Sequence, residues 1–253
     1  MYNPSENIVR NRSDISQFLI HLTKNGHYSQ FLLTKAGNGY RFRDVIVRAK
    51  QSLNEILDTK SLEARTPYGY FKNKIKFSNN PKGPVEPKWI ESVCFSEVPL
   101  SELASFYKIT LEKRNKYQKF GLAFWQDELL KKGVNPVFYF DSQKKYFQDS
   151  LDQMLQTDNL NTFKQMLYLY EPFNTPKENY IVNFRWEREW RKLGLLNFDL
   201  AVDVAFGICP SDEVNSYQKI VDNQFPFIDP DWDLDQIKLH LRNNNFTKLL
   251  SKI

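Results

Sequence analysis

The run from Tyr180 to Arg191, Y-I-V-N-F-R-W-E-R-E-W-R, sets two carboxylates two positions apart among arginines. Glu187 and Glu189 so spaced can hold a sugar hydroxyl or activate a nucleophile. Arg185, Arg188 and Arg191 add guanidinium groups whose fork matches phosphate oxygens. Tyrosine, valine, phenylalanine and tryptophan favour a strand over a helix. At a period of two, Tyr180, Val182, Phe184, Trp186 and Trp190 share one face, with Arg188 the only polar intruder. Asn183, Arg185, Glu187, Glu189 and Arg191 share the other. Arg188 then either lies on a face that is not fully buried or pairs there with a carboxylate such as Glu97. An ordinary ion-pair ladder on a solvated sheet face has the same pattern.

Two further pieces precede this run: His21 in I-H-L-T, and Cys94-Phe95-Ser96-Glu97. Each has an architectural reading, a satisfied core histidine for the first and the start of a helix cap for the second. Glu97, Glu187, Glu189 and Asp203 together suggest a metal-dependent nuclease, a reading weakened by loose spacing and missing histidine ligands. The histidines form no H-E-x-x-H pattern, and Cys94 and Cys209 form no C-x-x-C, so no metal is expected. Neither G-x-G-x-x-G nor G-K-[ST] occurs, which removes the Rossmann and P-loop dinucleotide and nucleotide sites.

The elements that must position these residues read as mixed α+β. Ser13 could cap a short helix, while Phe18 to Thr23 equally reads as a first strand. Val45, Ile46, Ala49, Leu53, Ile56 and Leu57 recur at helical spacing over Phe42 to Leu57. A turn is expected at T-P-Y-G-Y, and a Pro-rich surface loop over Ser78 to Lys88, around Pro84, whose length suits a lid. Trp89 to Val98 reads as a buried strand ended by Pro99, followed by a helix from L-S-E-L-A-S-F-Y. Next come a short strand or turn over Tyr117 to Phe124, and a helix from Trp125 to Lys132 that Gly133 closes in the left-handed position. V-F-Y-F is a strand. Phe147 to Tyr170 reads as a long helical region with a break near Thr157-Asp158-Asn159. L-A-V-D-V-A-F-G-I-C-P is another buried strand, Ser211 or Asp212 caps a helix, and an acidic turn precedes an amphipathic helix from Gln236 to Leu250.

At 253 residues the chain suits one α+β domain, with residues 221–253 packed on it as an acidic turn and helix. Aromatic residues reach 15%, so large flat side chains should build the core. A net charge of +5 is compatible with an anionic partner such as a nucleotide or nucleic acid, although solubility alone accounts for it. No run approaches a membrane span and the first residues lack a signal layout, so the expectation is a cytoplasmic protein without a membrane partner.

In order, His21, then Phe95-Ser96-Glu97, then Glu187-Arg188-Glu189 resemble the motif layout of ADP-ribosyltransferase-like domains. The longer pattern V-C-F-S-E-V-P-L, then F-G-L-A-F-W-Q-D-E-L-L-K-K-G-V-N-P-V-F-Y, then W-E-R-E-W-R and V-D-V-A-F-G-I-C-P, is similar to abortive-infection proteins of the AbiG type. The resemblance implies a strongly twisted mixed sheet with flanking helices, and NAD as substrate. Nicotinamide–ribose cleavage builds positive charge on the ribose, which a carboxylate stabilises. Glu189 or Glu187 would fill that role, Glu189 being slightly favoured, with the other and Ser96 supporting it. His21 and Thr23 would hold the adenosine-side ribose, Phe95 or Tyr68 would stack on a ring, and Arg185, Arg188 or Arg191 would meet the pyrophosphate. Glu97 has no counterpart in the transferase pattern and marks the subfamily. The implied function is a phage-defence toxin or effector acting on a nucleic acid or protein. Because AbiG systems have two genes, the alternative is a non-enzymatic antitoxin or regulatory partner of a cognate toxin.

Overall fold

The structure, a computed structural model, describes residues 16–24, 42–64, 66–67, 91–113, 117–156, 166–176, 181–183 and 185–253. Ser13, Tyr68, the Ser78 to Lys88 segment and the Thr157-Asp158-Asn159 break lie outside these residues. The first elements in chain order are β1 (Phe18–Lys24), α1 (Phe42–Thr59), β2 (Ser61–Leu62), β3 (Thr66–Pro67), β4 (Glu91–Glu97), α2 (Leu103–Lys113) and β5 (Tyr117–Trp125). Then come α3 (Gln126–Lys131), β6 (Asn135–Pro136), β7 (Phe138–Asp141), α4 (Lys145–Gln156), β8 (Tyr170–Phe173), β9 (Thr175–Pro176) and β10 (Ile181–Val182). The last are β11 (Glu189–Leu193), β12 (Leu196–Asn197), β13 (Val204–Ile208), α5 (Val214–Ile220), β14 (Phe227–Ile228), α6 (Leu234–Asn243) and α7 (Thr247–Leu250). The class is mixed α+β with mostly antiparallel strand pairing.

Two compact interleaved units result. The first comprises Met1–Ser61, Glu97–Leu129 and Phe198–Ile253; the second comprises Leu62–Ser96 and Leu130–Asn197. In the first, the strand order is β14-β13-β5-β1, with only the β13–β14 pair parallel. Phe120, Phe124, Phe206, Phe227 and Tyr217 are all fully buried, so aromatic burial at about 25 cal/mol per Å² drives this core. Two glycines allow the packing. A Cβ on Gly121 would lie 2.5 Å from the His21 carbonyl, and one on Gly207 would lie 2.2 Å from the Phe227 ring. That ring in turn stacks on Tyr217 with centroids 4.9 Å apart. Ala49, Leu53 and Leu57, at a spacing of four, form the buried stripe of α1.

Several sequence expectations change at the boundaries. Thr66–Pro67 is not a turn but β3, paired with β4 through Thr66 opposite Ser92. Helix α4 stops at Gln156, and Tyr170 opens β8 rather than closing a helix. Pro172, which lacks an N–H, is compatible with that short strand and not with a helix interior. The N-cap of α5 is Glu213 with no side-chain cap bond, not Ser211 or Asp212. The Ser211 amide instead donates to Asp229 at 2.7 Å. The terminal amphipathic helix is two helices, parted at Asn245 in the left-handed region at φ 61°. Asp233, from the acidic turn, forms a reciprocal capping box with Gln236 at the start of α6. The strand expected across L-A-V-D-V-A-F-G-I-C-P begins only at Val204, because Asp203 closes a turn by accepting the Asp199 amide at 2.6 Å.

Candidate functional site

The run ending at Arg191 is not one continuous strand. After β10, Asn183 Oδ1 accepts from the backbone N–H and from Nε of Arg185, both at 3.2 Å, and bends the chain. Arg185–Glu187 form a turn of 3₁₀-helix, which the Arg188 amide closes onto the Arg185 carbonyl at 3.1 Å. Arg188 itself sits at φ 42°, outside any strand. Only from Glu189 does the extended conformation resume. Glu187 and Glu189 therefore do not share a strand face, which corrects the paired-carboxylate expectation. Arg188 is exposed, and the alternation that placed it on the apolar face does not hold there.

Strand β11 lies inside the second unit's sheet, antiparallel to β4 on one side and to β6 on the other. Glu189 faces Ser96, Trp190 faces Phe95, and Arg191 faces Cys94. Directly opposed residues project from the same face, so Glu189, Arg191, Ser96 and Cys94 share one side. Trp190 and Phe95 share the other, where both are buried. The strand is thus covered on both faces, and the charged face that reads as solvated is interior at Arg191, only 1% exposed.

The guanidinium is held on three sides. Nε donates to Glu189 Oε1 at 3.0 Å and Nη2 to Glu189 Oε2 at 2.8 Å, a bidentate fork along one strand face. Nη2 also donates to Glu171 Oε2 at 2.6 Å, and Nη1 donates to the Tyr168 carbonyl at 2.7 Å. Burial opposes the charge on Arg191, but Glu189 and Glu171 outweigh it and hold the guanidinium above its already high ordinary pKa. Tyr139 accepts from the Glu189 amide at 2.9 Å, and the Glu189 carbonyl accepts from Val137 at 3.0 Å. Both the carboxylate and the backbone of Glu189 are thereby engaged. Burial, then the neighbouring Glu189 charge, push the Cys94 thiol well above its ordinary pKa, with only partial offset from Arg191. Cys94 is a neutral thiol at physiological pH, not a nucleophilic thiolate.

Of the residues singled out from sequence, Ser96 and Glu189 are brought opposite one another. Glu187 is buried one turn earlier in the 3₁₀ segment. Phe95 packs into the core on the other face of the sheet, not beside them. Glu97 is the buried last residue of β4. Arg185 is exposed and stacks over the Phe173 ring at 4.1 Å. His21 and Thr23 belong to β1 of the first unit; His21 is half-buried opposite Leu122. The Thr23 hydroxyl lies 3.0 Å from the carbonyls of both Ala49 and Phe120, tying α1 to β5. Glu171 went unnoticed in the sequence. Its signal is a lone acid in the aromatic run L-Y-L-Y-E-P-F, where an unpaired charge would be costly. Among the described residues no group of three or more His, Cys, Asp or Glu side chains could hold a metal ion. Among them, no helix is long and apolar enough to cross a membrane.

Residues 54–229, well over half of the chain, match the family described as "Putative abortive phage resistance protein AbiGi, antitoxin". No curated protein and no solved structure matches significantly.

Proposed function

The chain belongs to the AbiGi family of putative abortive phage resistance proteins, and we propose that it is the antitoxin of a two-component defence system. In this reading it neutralises a companion toxin by binding it, without consuming NAD. The family description carries the proposal, since it names an antitoxin. The geometry around Glu189 supports it. A carboxylate that stabilises a ribosyl cation must face the substrate, whereas both oxygens of Glu189 accept from the buried Arg191. Arg191, one of the three pyrophosphate candidates, likewise directs its donors at Glu189, Glu171 and the Tyr168 carbonyl. Such a cluster joins β8 to β11 from within the unit, which is the work of a clamp.

The second reading, an NAD-consuming effector acting on a nucleic acid or protein, keeps one observation in its favour: Ser96 lies opposite Glu189 in the β4–β11 register. Two measurements on the unaltered protein separate the readings. Expressing the companion gene alone should arrest growth, and co-expression of this chain should restore it, with no nicotinamide released from NAD by the purified protein. Growth arrest by this chain alone, together with nicotinamide release, would establish the effector and exclude the antitoxin.

A further inference from the structure

We draw no further inference here: the strongest candidate, the exposed aromatic patch of Phe138, Tyr146 and Phe147 at the junction of β7, β8 and α4 in the second unit, carries nothing because nothing in the structure shows what covers it.

Discussion

The two units solve the same packing problem with opposite chemistry. The first closes its sheet with rings: Phe18 packs on Phe206, Phe124 on Phe198, and Tyr217 on Phe227. The second centres its sheet on a cation, Arg191, flanked by two carboxylates and a carbonyl. Apolar contacts are non-directional and tolerate small shifts, whereas a buried guanidinium must be met at each N–H or it is severely destabilising. The first unit should therefore be sensitive to shape and the second to the removal of single polar partners.

The largest expected effect is on the second side of that contrast. Arg191→Ala leaves Glu189 and Glu171 facing each other without their cation, and should cost about 3–5 kcal/mol in denaturant unfolding. Arg191→Lys should recover only part of this, because an ammonium cannot reproduce the bidentate fork. In the first unit, Gly207→Ala drives a methyl into the Phe227 ring and should cost about 1–3 kcal/mol through overpacking. A result below about 0.5 kcal/mol would mean that the ring moves aside freely. Smaller still is Asp233→Ala, which removes the capping box of α6 and should cost about 1 kcal/mol, read as a lowered Tm.

Alkaline pH acts on both units. Burial raises the pKa of Tyr107 and Tyr217 in the first and of Tyr139 and Tyr168 in the second. Each folded-state pKa lies above the unfolded value near 10, so the protonated phenols contribute stability that is fully present below about pH 10. As pH rises further the unfolded chain loses protons first, and stability falls. Unfolding curves at pH 8 and pH 11 should differ in that direction, and absorbance titration should show these phenols ionising only on unfolding. Cys94 and Cys209 report on one unit each, since burial holds both thiols protonated. Thiol labelling under native conditions should be slow at both, and Arg191→Ala should accelerate it more at Cys94 than at Cys209.

Where local chemistry decides structure, the sequence was informative. The period of Ala49, Leu53 and Leu57 located α1, Pro99 ended β4, and Gly133 at φ 80° closed the turn after α3. Phe18 to Thr23 left helix and strand open, and the strand won because β5 pairs with it. The Tyr180 to Arg191 run misled because strand propensity and alternation say nothing of a side chain that bends the backbone. Asn183 does so, and Arg188 takes up a left-handed conformation that a bulky residue seldom adopts. The Glu189–Ser96 juxtaposition was legible as an order of motifs, but the interior position of Arg191 was not. Alternating charge looks identical on an exposed strand and on one covered on both sides, and only the pairing of β11 with β4 and β6 distinguishes them.

The role of the Arg191 cluster as a clamp is tested most directly by replacing it as a whole. The variant Glu171→Leu, Glu189→Leu, Arg191→Met removes all three charges together and leaves none uncompensated. Its ability to protect cells from the companion toxin is then measured beside its unfolding curve. A clamp role predicts a folded protein that still protects. A protein equally well folded that no longer protects would place these side chains in the functional site and contradict the account.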